Sequence, residues 1–482
     1  MGNIRKNTIT YGIRQTVLFV LSFVINMYTT RKLTNEDFGN LVYFNTIIAA
    51  FGFITDGSVW AGFIQSCSEI KKETLNKMFT LVFLLLFVIL GLFLLIIRIT
   101  HVVLGNKNFL VYFSIVSIFT TAIQSIIYTK FQKELKISYI AICDILSSLI
   151  YYILVVVLLN LKQSILCVLF SMTIKNIFCL IFAFIFSHSI FKFDFKFNEK
   201  DFLINLKKGL VNLLSFPVNY SRTLMNPIIV GNFCSLGAMG IIDRAVLIAG
   251  IPSNILTVAL QKVLFPVFSN SYNENKDINT QVKAVVYYSA LLDKIYYIPL
   301  LLLIKDAVKL FFGIQWKGII IPVYILTLGN MLFGSLSGVC NICLLSTAKF
   351  MESFLINLIS TVVVLPITVL LTYFFGTNGY CFYSILLWLP VFISMYIVNK
   401  EINCGGLFYE YLLPFTFSIL TVLFINLVFL VFSFSNPWLN VIAKIIMSYL
   451  VYCLLILILD RKYIKLKIVD FKEKSKLKKK YL

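Results

Sequence analysis

The sequence predicts an all-α polytopic membrane protein with about fourteen transmembrane helices, and three observations lead there. Hydrophobic residues make up 60% of the 482 positions and the mean hydropathy is +0.92, outside the range of soluble domains. Apolar runs of about 20 residues, the length that crosses a bilayer, follow one another along the whole chain. The polar stretches between them never exceed about twenty residues, too short to enclose a core of their own. Lipid must therefore solvate most of the surface.

Taken in order, the expected spans are roughly 9–30, 38–64, 78–98, 109–129, 138–160, 164–187, 208–230, 238–265, 283–304, 319–344, 352–374, 378–398, 408–432 and 438–459. The first has a basic start but no small-residue cleavage site, so it reads as a retained helix rather than a signal peptide. The seventh carries Arg222 and is expected to break at Asn226-Pro227. A Gly-rich turn, Gly231 to Gly240, separates it from the eighth span, which ends near Phe265-Pro266.

Lysine and arginine placement sets the orientation. With the N-terminus in the cytoplasm, the inside segments hold roughly 27 cations against 8 outside, a ten-cation tail from Arg461 to Lys480 included. Both termini are then cytoplasmic. The net charge of +21 is spread over these loops, so topology and anionic lipid explain it better than nucleic acid does.

The longest linker, Ser187 to Lys208, divides six spans from eight. Within it Phe191-Lys-Phe-Asp-Phe-Lys-Phe197 alternates aromatic and charged residues, and its end reads as an interfacial amphipathic helix. A faint internal repeat supports two halves: Arg31-Lys-Leu-Thr-Asn-Glu-Asp-Phe-Gly39 follows the first span and Gly231-Asn-Phe-Cys-Ser-Leu-Gly-Ala-Met-Gly240 the seventh. In each, a glycine opens the next span.

No Gly-rich phosphate loop, zinc motif or nucleophile–base pair is present, and the only histidines are His101 and His188. Cys340-Asn-Ile-Cys343 has metal-like spacing but no second pair or nearby histidine, so two small residues within one helix is the better reading. No cofactor or metal is expected, and the chain does not read as an enzyme. Ionisable residues inside spans carry the remaining information, because each costs about 2.5–3.5 kcal/mol at the bilayer centre. Near span centres lie Arg14, Asp144, Lys175, Arg222, Asp293 and Lys294; nearer the ends lie Asp56, Asp243, Arg244, Lys262 and Lys444.

The central set holds more cations than anions, which suits an anionic cargo, and arginine offers a planar fork matched to phosphate oxygens. Arg14 and Arg222 are the first candidates for cargo contact and Lys175 the second. Pro217 and Pro227 bracket Arg222 and could open its helix, whereas snorkelling to the headgroups is the rival reading for Arg14. Asp293-Lys294 reads as a structural or snorkelling pair.

A set of motifs follows in order along the chain: Arg31-Lys32-Leu33 with Asp37-Phe38-Gly39, Asp56-Gly57, Gly240-Ile-Ile-Asp243-Arg244-Ala245, Pro252-Ser-Asn254, Val263-Leu-Phe-Pro266-Val-Phe-Ser269 and Phe312-Gly313-Ile-Gln-Trp316. Together they resemble the polysaccharide transporter (Wzx-type) branch of the multidrug/oligosaccharidyl-lipid/polysaccharide exporter superfamily. Ile242 stands where that branch usually has tyrosine.

The resemblance implies two six-helix lobes around a central cavity, plus two further helices. The expected division is a first lobe over 1–190, a linker over 191–207, a second lobe over 208–400, two added helices over 401–460 and a basic tail over 461–482. It also implies translocation, by alternating access in the bacterial cytoplasmic (inner) membrane, of polyprenyl-pyrophosphate-linked oligosaccharide for surface polysaccharide. Partners would be that lipid-linked sugar, membrane lipid and other polysaccharide-assembly membrane proteins. Asp144 or Asp293 would couple an ion.

Two relatives with other cargoes stay open: a drug/cation antiporter, which should present carboxylates to its cargo, and a peptidoglycan-precursor flippase. A membrane polymerase or ligase needs a large outward loop, and the longest here, about Lys305 to Gly318, is too small.

Overall fold

The structure is a computed structural model describing residues 18, 21–52, 60, 63, 71–100, 108–134, 136–188, 191–197, 199–212, 220–221, 224–274, 278–347, 349–402, 405–432 and 436–459. All regular structure among these residues is helical. Nine helices among them are long and apolar enough to cross a membrane, so the chain is an all-α multi-pass membrane protein. Of the other expected spans, those at 9–30, 38–64 and 208–230 fall partly outside the described residues. The segments at 238–265 and 283–304 lie within the long helices Leu236–Asn273 and Asn279–Ala307.

The chain forms two compact units, Met1–Asp243 and Arg244–Leu482. In the first, a helix over 21–32 (α1) is followed by α2 (Asn35–Ala50), α3 (Lys72–Thr100), α4 (Asn108–Lys133), α5 (Ile137–Leu161), α6 (Ile165–Ser187) and α7 (Lys200–Asn212). α6 packs on α4 and α5, and α4 also packs on α2 and α3. Its core gathers Met78, Val82 and Leu86 of α3 with Ile118, Ala122 and Ile126 of α4. A second cluster joins Ile127 and Phe131 to Ile140, Cys143, Cys179 and Ala183.

Both halves of the sequence repeat begin their helices with a hydroxyl cap. Thr34 caps α2: its Oγ1 accepts from the Asp37 amide at 3.3 Å, and the Thr34 amide donates back to Asp37 Oδ2 at 3.0 Å. That is a reciprocal capping box, which satisfies two otherwise orphaned amides. Ser235 caps α8 (Leu236–Asn273) one way only, its Oγ accepting from the Ala238 amide at 3.1 Å, since an alanine cannot return the bond. Five residues after each cap comes a glycine, Gly39 or Gly240, and the two meet. A Cβ on Gly39 would overlap the Leu236 carbonyl oxygen, and a Cβ on Gly240 would overlap that of Asn35.

The expected break at Asn226-Pro227 is not one. Asn226–Val230 is a π-helical turn that carries Pro227 and continues into the single turn Gly231–Phe233. The widened turn absorbs the proline ring and its missing amide without leaving the helix. The chain departs from helix at Cys234, with φ −118 and ψ −97.

In the second unit α9 (Asn279–Ala307) packs on α10 (Ile320–Ser346), α13 (Leu407–Val431) and α14 (Pro437–Leu459). Both α11 (Phe350–Cys381) and α12 (Trp388–Ile402) pack on α10. Gly313, at φ 99, turns the chain out of the π turn Val308–Phe312 and into the 3-10 turn that seats fully buried Trp316. The Phe312-Gly313…Trp316 motif is thus a corner that a side chain at Gly313 would strain. The loop expected near 375–377 is a break at Gly376, φ 59 and ψ −138, after which the backbone closes so tightly that a Cβ on Gly379 would overlap the Leu371 carbonyl.

Candidate functional site

Two polar clusters sit among apolar helices, one in each unit. In the first unit, Gln124 and Tyr128 lie one turn apart on α4 and face Asp144 of α5 and Cys179 of α6. The Tyr128 hydroxyl is 2.7 Å from Asp144 Oδ1 and 3.2 Å from Cys179 Sγ. A phenol has one proton, and the shorter contact to a carboxylate takes it. Cys179 Sγ in turn accepts from Gln124 Nε2 at 3.2 Å and reaches Asp144 Oδ1 at 3.6 Å. One turn before Cys179, half-buried Lys175 places its Nζ 5.9 Å from the ring centroid of Tyr151, within cation–π range. Tyr151 is seven residues after Asp144, so both fall on one face of α5.

The second cluster joins α9, α10 and α13. Asp293 and Lys294 are 1% and 0% exposed, and their partners Ser335 and Tyr411 are buried as well. Lys294 Nζ stands 2.9 Å from Asp293 Oδ1. That oxygen nevertheless has no aligned hydrogen bond, as expected of helix neighbours whose side chains diverge. Charge, not directed hydrogen bonding, holds the pair.

The remaining protons can be assigned one by one. Lys294 donates to the Tyr411 hydroxyl at 3.0 Å and lies 4.1 Å from its ring centroid. Ser335 donates to Asp293 Oδ2 at 2.5 Å. Tyr411 then gives its single proton to the Met331 carbonyl at 3.0 Å rather than to Asp293 at 3.4 Å. Both hydroxyl protons thus have an acceptor, and the two buried charges are paired with each other.

Of the five candidate residues, Asp144, Lys175 and Asp293 lie within described helices. Arg14 and Arg222 lie outside the described residues, as does Asp56. The structure places Asp144 and Lys175 in the first unit, on adjoining helices, and Asp293 in the second. The snorkelling reading of Asp293-Lys294 is corrected: the ammonium has no solvent exposure because Tyr411 and Asp293 enclose it. Tyr128, Cys179, Ser335 and Tyr411 were missed, since only charged residues were weighed inside the spans. The usable signal was any hydrogen-bonding side chain in a run otherwise apolar.

Among the described residues no group of three or more histidine, cysteine or acidic side chains could hold a metal ion. Cys340 and Cys343 are buried side chains within α10. A pocket of about 250 Å³ between α12 and the start of α13 is lined by Phe392, Met395, Tyr396 and Asn399 with residues 405–408, with no acidic or basic side chain among them.

The same fold recurs in solved structures. The chain is similar to the lipid II flippase MurJ in an inward closed conformation, with TM-score 0.73 and 15% identity over 93% of this chain and 100% of that one. It is also similar to an inward-facing multidrug resistance MATE family transporter of the MOP superfamily, with TM-score 0.58 and 13% identity over 80% and 94%. A MOP superfamily transporter from Pyrococcus furiosus, whose binding pocket has reverse polarity, matches with TM-score 0.52 and 13% identity over 84% and 96%. The chain therefore shares the fold of these transporters. No curated protein sequence matches significantly. The family model described as polysaccharide biosynthesis protein matches residues 29–321, more than half of the chain, and the chain belongs to that family.

Proposed function

We propose that the protein is a lipid-linked oligosaccharide flippase. It moves polyprenyl-pyrophosphate-linked sugar repeat units from the cytoplasmic to the outer leaflet of the bacterial cytoplasmic membrane by alternating access. The family match over residues 29–321 carries this reading, and the superfamily fold supports the transport mode. Lobes over 1–190 and 208–400, joined by the 191–207 linker, are the proposed moving parts, with both termini cytoplasmic.

The cation surplus among the mid-span residues supports a pyrophosphate cargo. Arg14 and Arg222 are proposed to contact it, with Lys175 next to them in rank. It disfavours a drug/cation antiporter, whose cargo calls for carboxylates. For ion coupling Asp144 is the better candidate, because Lys294 already balances the charge of Asp293 at 2.9 Å. A peptidoglycan-precursor cargo is the second reading, favoured by the likeness to the lipid II flippase MurJ.

One experiment separates the two. Delete the gene, extract the polyprenyl-linked intermediates and identify the glycan by mass spectrometry. Accumulation of a surface-polysaccharide repeat unit supports the first reading, a peptide-bearing disaccharide the second, and an unchanged lipid-linked pool overturns both.

A further inference from the structure

Residues 191–197 alternate phenylalanine with charge, as a strand would, yet they form neither helix nor strand, and among the described residues no strand lies beside them. The first turns of α3 take a strand's place. The Lys192 amide donates to Asn76 Oδ1 at 3.0 Å, and the Asp194 amide to Thr80 Oγ1 at 2.8 Å. Four helical residues rise about 6 Å and two extended residues about 6.6 Å, so the two side chains match the period of the strap. Phe191 stacks on Phe79 with centroids 4.9 Å apart, and Phe193 meets Phe79 at 5.4 Å and Phe83 at 5.1 Å. Beyond the strap, fully buried Lys77 pairs with Glu199.

The outward side of this strap is both apolar and basic. Phe193 and Phe195 are 53% and 65% exposed, and Lys192, Lys196 and Lys200 are exposed beside them. Asp194 turns its carboxylate onto the strap itself, accepting from the Lys196 amide at 3.0 Å, and Glu199 is engaged by Lys77. Asp201 is the one other exposed acid on this stretch. The ring line continues along α3 from Phe83 to Phe87 at 5.3 Å, where Leu84, Phe87 and Val88 form the exposed face of a membrane-spanning helix. In α7, Phe202 is buried against Phe63, leaving Leu203 and Ile204 exposed.

We infer that the strap and the start of α7 form a docking site for an anionic phospholipid. Lys192, Lys196 and Lys200 hold the headgroup phosphate, and Phe193 and Phe195 carry the first part of the acyl chains. Rings at the acyl boundary with ammonium groups one step outward is the pattern of an interfacial element. A soluble acidic partner would match the lysines but leave the rings, which continue a lipid-facing stripe, unmatched. Non-helical backbone at this depth is tolerated because Asn76 and Thr80 satisfy its amides. The inference does not depend on the cargo.

The test uses the full-length chain in nanodiscs of phosphatidylcholine mixed equally with phosphatidylglycerol, with the lipids retained after extraction counted by native mass spectrometry. The wild-type chain should retain phosphatidylglycerol preferentially, and K192Q/K196Q/K200Q should lower that preference by roughly tenfold or more. K305Q/K309Q/K317Q removes equal charge elsewhere and should leave the preference intact. Unchanged preference in the first variant, or equal loss in the second, would overturn the assignment. A bimane label on Phe195→Cys should emit as in an apolar medium in the same nanodiscs; water-like emission would also overturn it.

Discussion

Gly39 and Gly240 meet at a helix crossing in which each glycine lies against the carbonyl of the residue four positions before the other, Leu236 and Asn35. The Gly39 amide lies 3.0 Å from where a Cβ on Gly240 would stand. Equivalent positions of the sequence repeat therefore form one two-sided contact. It is set up by the Thr34 and Ser235 caps, which start both helices at the same distance from their glycines.

Gly39→Ala and Gly240→Ala should each destabilise the protein by about 1–3 kcal/mol, since each methyl meets backbone rather than a movable side chain. Thermal unfolding in detergent measures this. A Cβ at Gly237 would lie 3.6 Å from that of Asn35, within the roughly 3.5–4.5 Å that a disulfide requires. N35C/G237C should therefore oxidise spontaneously, read as protection from thiol alkylation. Two freely alkylated thiols would contradict the crossing.

Asp293→Asn leaves the Lys294 ammonium buried without its counter-charge, and Lys294→Met leaves the carboxylate likewise. Each should cost about 3–5 kcal/mol, whereas the double variant should cost less than the sum, because no unpaired charge is left. Additive losses in melting experiments would show that the pair does not act as one unit.

For Asp144 the expectation concerns transport rather than stability. Asp144→Asn should abolish the dependence of lipid-linked sugar translocation on an ion gradient in proteoliposomes. Tyr128→Phe removes the 2.7 Å hydroxyl donor and should shift the pH profile of that dependence while the protein still inserts. Gradient dependence intact in Asp144→Asn would move coupling elsewhere.

Arg222→Ala should abolish surface glycan export while the protein inserts at normal levels. Arg14→Ala should do the same, and Arg14→Lys should rescue in part only if charge rather than the planar fork is used. Export at wild-type level in Arg222→Ala would remove that residue from the cargo site.

Much of the helical plan was legible because a bilayer imposes one length on every span. The expected spans at 138–160, 164–187, 408–432 and 438–459 fall on α5, α6, α13 and α14 nearly end to end, and the loop read near 375–377 is the Gly376 break. The π turn at Pro227 was not legible, because a proline marks a lost hydrogen bond without saying whether the helix ends or widens there. The two polar clusters were less legible still. The charged members Asp144, Lys175 and Asp293 stood out singly, but their hydroxyl and thiol partners look like ordinary span residues.

By itself the sequence determined that the chain is an all-helical membrane protein, where most helices begin and end, and which buried charges need explaining. Lipid enforces those features through hydropathy and backbone satisfaction, both of which are local. Only the tertiary structure decided that Asp293 belongs with Ser335 and Tyr411, that Asp144 belongs with Tyr128 and Cys179, and that a strand-like segment rests on Asn76 and Thr80. Those pairings join residues far apart along the chain, and the geometry of helix packing, which no local pattern encodes, brings them together.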